Sequence, residues 1–143
     1  PGQIVIAGHA GAVERAMEMA RERGAKRALP LPVSAPFHCS LMKLAGDRLA
    51  EVLAPVSVGN LAVPVVTNVE AVANEDPNRV KNLLVAQVSA PVRWDESVRH
   101  MAGKGVDRFI EIGPGKVLSG LVKRIAKGTT AQSVEDSAGL RGL

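Results

Sequence analysis

Apolar residues recur at helical spacing in five stretches of the chain, and short β-branched runs lie between several of them. The helical spacing predicts helices over residues 11–23, 41–52, 77–88, 94–102 and 116–126. The β-branched runs predict strands over residues 3–7, 26–31, 63–68 and 108–112. Strands and helices alternate almost throughout, so the pattern predicts the α/β class. Past Gly128 the residues are small and polar, which predicts a loose tail over 128–143.

A proline-punctuated run over residues 31–37 ends on a histidine, and a helical pattern follows at once. Pro36 restricts Ala35 to extended conformations and cannot donate a backbone hydrogen bond. His38 is therefore predicted at a corner between an extended segment and a helix, where a side chain can face a cleft. Histidine suits a general base because its ordinary pKa lies near neutrality. A structural histidine packed at the start of a helix is the alternative that this geometry leaves open.

Composition and charge narrow the class of protein. The 143 residues suffice for one domain, and 18 Lys and Arg against 14 Asp and Glu give a net charge of +4. A mild positive charge fits ordinary solubility, an acidic partner or a phosphate-bearing substrate. Nucleic acid is not expected, because the chain has only three aromatic residues and no basic run. No apolar run reaches the ~18 residues of a membrane helix, and no secretory signal is visible.

Cys39 is the only cysteine, and it directly follows His38. A single cysteine cannot form an internal disulfide and fits a reducing compartment, so a cytoplasmic location is predicted. A Cys/His hydrolase is one hypothesis, yet neighbouring helical residues point ~100° apart, which favours a small packing residue at Cys39. No metal site is expected, because His9, His38 and His100 are far apart and lack ligand spacing.

The glycine-rich segment Gly113–Lys116 lies between a predicted strand and a predicted helix. It lacks the spacing of a Walker phosphate loop, since Val117 stands where that loop needs Ser or Thr. It also lacks the third glycine of a dinucleotide fingerprint, because Leu118 occupies that position. A tight strand-to-helix turn is the interpretation that the spacing favours.

Four separated segments together resemble one known family. Residues 35–42 (APFHCSLM) resemble the histidine motif of malonyl-CoA:acyl carrier protein transacylases and of the related acyltransferase domains of polyketide and fatty acid synthases. Residues 1–8, 90–94 and 111–118 match the same family in the same order, and the match runs to about Ile125. The resemblance implies the end of a small ferredoxin-like subdomain over 1–36 and the C-terminal part of a hydrolase-like α/β core over 37–127.

The resemblance also implies roles for particular residues. His38 is the expected general base, and the main-chain carbonyl of Gln87 is expected to accept the hydrogen of its other ring nitrogen. Phe37 is similar to the residue that selects malonyl over methylmalonyl groups, because its ring leaves no space for an α-methyl group. The expected substrates are malonyl-CoA and the phosphopantetheine thiol of acyl carrier protein, in fatty acid biosynthesis and without a metal or redox cofactor.

A basic set on the last predicted helix is expected to dock the acidic carrier protein. Lys116, Lys123 and Lys127 are spaced seven and four residues apart, which predicts one helical face, and Arg124 adjoins it. A solvated face whose cations complement the helix dipole is the alternative. The proposed docking residues are Lys116, Lys123 and Arg124.

The nucleophile of the family is absent from these residues. Its members use a Ser within Gly-His-Ser-x-Gly, and no Gly-x-Ser-x-Gly occurs in the 143 residues. The resemblance therefore implies that these residues are the C-terminal half of a transacylase and that the Ser lies in its N-terminal half. It predicts no activity for this segment alone. A stand-alone, non-catalytic domain that binds an acidic protein partner is the alternative function.

Overall fold

The computed structural model describes residues 2–142, and it has a mixed α/β fold. The helices are α1 (Ala10–Glu22), α2 (Lys43–Leu53), α3 (Pro77–Ser89), α4 (Trp94–Gly103), α5 (Val117–Ile125) and α6 (Ser137–Arg141), with a 3₁₀ turn over Ser40–Met42. The strands are β1 (Val65–Val66), β2 (Ala73–Asn74), β3 (Arg108–Ile112) and β4 (Thr130–Val134). All five predicted helices and the strand over 108–112 are confirmed, as is the α/β class.

The described chain forms two compact units. The strand unit comprises residues 65–73 and 93–142, and the helix unit comprises residues 2–64 and 74–92. Because the units do not divide at residue 36, the predicted limit of a ferredoxin-like subdomain at that position stays a prediction.

The strand unit is built on two parallel strands and the helix that joins them. β3 pairs with β4 in register from Arg108 opposite Thr130 to Ile112 opposite Val134. Parallel strands require a crossover connection, and α5 supplies it. The core of the strand unit consists of Val98 from α4, Val122 and Ile125 from α5, and Ala126 directly after α5.

The prediction of a loose C-terminal tail is wrong. Residues 130–134 form β4, whose Val134 is buried, and α6 follows with the Asp136 side chain accepting a hydrogen bond from the Gly139 amide at 2.8 Å. The polar sequence of β4 conceals this strand because its stability comes from backbone hydrogen bonds to β3, which any residue except proline can make. Residue 143 lies outside the described residues.

The strands predicted at residues 3–7 and 26–31 do not form among the described residues. A strand needs a hydrogen-bonded neighbour, and β-branched composition alone cannot supply one. The side chains of Ile4 and Leu29 are 88% and 68% exposed. The strand predicted over 63–68 shortens to Val65–Val66, which pairs with β2.

The helix unit packs α2 against α3. Gly46 is buried at their contact, where an added Cβ atom would lie 3.5 Å from the Val85 carbonyl oxygen. Glycine in a helix costs roughly 0.5–1 kcal/mol relative to alanine, and the added Cβ atom of an alanine would be in ordinary van der Waals contact here. The side chain of Asp76 caps α3 by accepting the Asn78 amide at 2.8 Å, and Pro77 occupies the first turn.

Candidate active site

His38 lies on a tight turn between Pro36 and Cys39, directly before the 3₁₀ turn Ser40–Met42. Its backbone is left-handed, with φ of 60°. This conformation costs a residue with a side chain roughly 1–2 kcal/mol and persists only where surrounding contacts impose it. The corner predicted from Pro36 is therefore present, although a turn rather than a strand leads into it.

The His38 ring contacts the end of α3, which is 49 residues further along the chain. Its Nδ1 atom lies 2.9 Å from the main-chain oxygen of Gln87. A carbonyl oxygen only accepts hydrogen bonds, so the contact requires a hydrogen on Nδ1. In the neutral ring this leaves the lone pair on Nε2, which is the form that a general base needs. The structure thus brings together the two residues that the resemblance predicts as a pair, and their catalytic role stays a prediction.

The Gln87 carbonyl is available to His38 because of where α3 ends. The last hydrogen bond of its ladder joins the Ala90 amide to the Ala86 oxygen at 3.1 Å. The next bond would run from residue 91 to Gln87, but residue 91 is proline and has no N–H. Pro91 also holds Ala90 in an extended conformation, with ψ of 152°, which stops the helix. A glutamine four residues before a proline was the sequence signal for this geometry.

Two neighbours of His38 are fixed by the same turn. The Cys39 thiol donates to the Pro36 carbonyl oxygen at 3.1 Å, and the Phe37 amide donates to the Ala35 oxygen at 2.9 Å. The Phe37 side chain is 48% exposed. Its predicted part in substrate selection is not tested by these contacts.

Glu111, which the sequence analysis missed, holds the glycine turn in the strand unit. It lies on β3, and its carboxylate accepts the backbone N–H of Leu118 at 3.1 Å and of Ser119 at 2.7 Å. These amides belong to the first turn of α5, where a phosphate loop would present them to its ligand. The chain's own carboxylate therefore occupies them, which supports the interpretation of Gly113–Lys116 as a turn. Gly113 and Gly115 have φ of 137° and 89°, a region that favours glycine.

The same contacts predict a pH-dependent contribution to stability. Hydrogen bonding by Ser119, followed by the amide of Leu118, lowers the pKa of Glu111 below its ordinary value. A carboxylate with a lowered folded-state pKa stabilises the protein at pH values above its unfolded pKa of about 4.3. This stabilisation is lost as the pH falls through the folded-state pKa.

In the full-length protein, Glu111→Gln is expected to lower the melting temperature at pH 7, with the difference from wild type shrinking below about pH 4. Glu135→Gln, which changes an exposed carboxylate of the same unit, is the control. A deficit that is equal at pH 7 and pH 3 would contradict this prediction.

The predicted docking residues are exposed in the strand unit, but they do not share one helical face. Lys123 and Arg124 lie in the last turn of α5. Lys116 is the residue before the helix, and Lys127 follows its end at Ala126. The prediction that Lys116, Lys123 and Lys127 line one face of a helix is wrong, because helical spacing applies only inside α5.

Known proteins similar to this chain share one name. The chain is 50% identical over 140 residues to the malonyl CoA-acyl carrier protein transacylase of Salmonella typhimurium, across 98% of this chain and 45% of that protein. The malonyl CoA-acyl carrier protein transacylase of Bacillus subtilis is 49% identical over 136 residues, which are 95% of this chain and 43% of that protein. The chain belongs to the malonyl CoA-acyl carrier protein transacylase family. It spans about 45% of the length of these curated relatives and corresponds to the C-terminal half. No protein-family model matches it.

Solved structures of transacylases have the same fold over this part. An acyl carrier protein S-malonyltransferase from Vibrio cholerae superposes with a TM-score of 0.90 at 50% identity, over 94% of this chain and 44% of that one. A malonyl-transacylase solved in complex with a type II polyketide synthase acyl-carrier protein superposes with a TM-score of 0.87 at 46% identity. The match covers 94% of this chain and 43% of that one. These relatives confirm the predicted resemblance and fold class, and they do not favour the stand-alone binding domain.

Within residues 2–142, no group of three or more His, Cys, Asp or Glu side chains is placed to hold a metal ion. No helix in the same range is long and apolar enough to cross a membrane.

Proposed function

We propose that the full-length protein containing this chain transfers a malonyl group from malonyl-CoA to the phosphopantetheine thiol of acyl carrier protein. The observation that carries the proposal is the contact of 2.9 Å between His38 Nδ1 and the Gln87 carbonyl oxygen. It supports a histidine whose tautomer is fixed for accepting a proton at Nε2. Chains about 50% identical to this one are named for the same reaction.

In the first half of the proposed reaction, His38 Nε2 takes the proton of a serine supplied by the N-terminal half of the enzyme. The serine oxygen attacks the thioester carbonyl of malonyl-CoA, and the bond from carbonyl carbon to sulfur breaks. The imidazolium of His38 gives its proton to the departing thiolate of coenzyme A. The hydrogen bond from Nδ1 to the Gln87 carbonyl stabilises the charge that the ring carries between these two steps.

In the second half, the phosphopantetheine thiol of the carrier protein enters. His38 takes the thiol proton, the sulfur attacks the malonyl-serine ester, and the serine leaves as its alcohol after receiving that proton. Each proton and leaving group is accounted for without a metal or redox cofactor. Phe37, next to His38, is proposed to disfavour substrates with an α-methyl group. Such a preference for one methyl group is worth ~1–3 kcal/mol. The proposed pathway is fatty acid biosynthesis in the cytoplasm.

An acyl-transfer assay of the full-length protein tests the proposal. With radiolabelled malonyl-CoA alone, we expect a covalent malonyl-enzyme, and with holo acyl carrier protein we expect the label to move to the carrier. Initial rates at varied concentrations of both substrates should give the parallel-line pattern of a ping-pong mechanism. Malonyl-CoA should be preferred over methylmalonyl-CoA by about 10- to 100-fold in kcat/KM. A protein that forms no malonyl-enzyme would contradict the proposal.

Lys116, Lys123 and Arg124 are proposed to help dock the acidic carrier protein. All three side chains are exposed and positively charged. Charges at the rim of an interface act mainly on the association rate and its dependence on salt. Lys123 and Arg124 are adjacent in the last turn of α5, so reversing both changes the local charge by four units.

Reversal of Lys123 and Arg124 to Glu is expected to raise the KM for carrier protein in the full-length enzyme by about tenfold at low salt, with a smaller rise at high salt. Acylation by malonyl-CoA should change less than twofold. The control is Arg23→Glu with Lys26→Glu, an equal charge change on exposed residues of the helix unit. An unchanged KM for carrier protein at low ionic strength would exclude this surface as the docking site.

A further inference from the structure

The turn that carries His38 is held in place from both sides. On its N-terminal side, Pro36 has a ring-locked φ, and the Phe37 amide donates to the Ala35 oxygen at 2.9 Å. On its C-terminal side, the Met42 amide donates to the Cys39 oxygen at 3.0 Å. His38 itself lies between them with the unfavourable φ of 60°. Contacts that span His38 are needed to keep this conformation.

The Cys39 side chain provides such a contact. Its thiol is partly buried and donates to the Pro36 carbonyl oxygen at 3.1 Å. This hydrogen bond joins Cys39, directly after His38, to the rigid Pro36, two residues before His38. This bond closes the turn around His38. The same turn sets the direction of the imidazole ring, whose Nδ1 must meet the Gln87 carbonyl at 2.9 Å.

We infer that Cys39 is a positioning residue for His38, whose thiol–carbonyl hydrogen bond to Pro36 keeps the imidazole directed at Gln87. The inference rests on the proposed function, since it concerns the general base of that reaction. It replaces the hypothesis of a Cys39 nucleophile. A nucleophilic thiol needs a base as its hydrogen-bond acceptor, and the acceptor here is a backbone carbonyl that cannot take the proton.

The test uses the full-length enzyme and single-turnover acylation at saturating malonyl-CoA. Cys39→Ala removes the donor, and we expect the acylation rate to fall about 3- to 10-fold, the scale of one hydrogen bond. The half-saturating concentration of malonyl-CoA should stay within twofold, because the base and not the binding site is disturbed. Cys39→Ser keeps a donor and should recover at least half of the wild-type rate. Ser40→Ala, at the exposed adjacent residue, is the matched control and should match wild type.

Each other outcome overturns the inference. Complete loss of acylation in Cys39→Ala, or a malonyl adduct mapped to Cys39 in wild type, would make the thiol the nucleophile. A Ser variant as slow as the Ala variant would show that the hydrogen bond is irrelevant. A lower melting temperature in Cys39→Ala with an unchanged rate per folded site would make the residue merely structural. If wild type itself is not acylated, the proposed function fails first and this inference fails with it.

Discussion

Replacing His38 with Ala in the full-length protein is expected to lower the rate of the proposed malonyl transfer by about 10²–10⁴-fold, the usual scale for a general base. The substitution removes the atom that accepts the serine proton and then the carrier-protein thiol proton. Both half-reactions should therefore slow, whereas the affinity for malonyl-CoA should change little. The measurement is single-turnover acylation, followed by transfer to holo carrier protein.

The matched control for this loss is His9→Ala. His9 is an exposed residue of the same helix unit, it precedes α1, and its side chain makes no capping hydrogen bond. This variant should keep wild-type rates, and both variants should retain the wild-type melting temperature within a few degrees. A His38→Ala enzyme that turns over at a near-normal rate would reduce His38 to a structural residue and would remove the basis of the proposed mechanism.

A polypeptide of these 143 residues alone is expected to form no covalent adduct with labelled malonyl-CoA. Its sequence contains no Gly-x-Ser-x-Gly segment, the turn that presents the nucleophilic serine in this family. A base without a nucleophile cannot form an acyl-enzyme, so the amount of covalent malonyl adduct is expected to stay at background. Intact-mass analysis after incubation is the measurement.

The full-length enzyme, treated in parallel, should gain the mass of one malonyl group. Adding the N-terminal half as a separate polypeptide tests whether the two parts reassemble, and an adduct should then appear on that half. A stable adduct on any of the 143 residues would contradict the prediction. Peptide mapping would identify its position, with Cys39 as the first residue to inspect.

The helices were the most predictable part of the fold, for a local reason. In α3 the start follows from Asp76 and Pro77 and the end from Pro91, because capping, ring-locked φ and the missing N–H act within a few residues. β3 was equally clear because three of its five residues are apolar, two of them are β-branched, and a glycine turn follows. These signals need no distant partner.

The strands that sequence patterns misjudged depend on distant partners. Residues 3–7 have strand-like composition but no pairing neighbour among the described residues, whereas β4 has an unremarkable polar composition and pairs fully with β3. Strand formation requires hydrogen bonds to a second segment, which composition does not specify. Glu111 was missed for the same reason, since its function depends on amides seven and eight residues away that only the folded turn brings to it.

The sequence by itself determined the α/β class, the family resemblance, the choice of His38 and Gln87, and the absence of the serine motif from these residues. It also contained the reason why Gln87 offers its carbonyl, because Pro91 stands four positions later. Only the tertiary structure decided that His38 and Gln87 meet at 2.9 Å across 49 residues, that His38 takes a left-handed backbone, and that the Cys39 thiol turns to Pro36. The physical reason is that local residues set backbone preferences, whereas the packing of α2 on α3 sets the distance between the turn and the end of the helix.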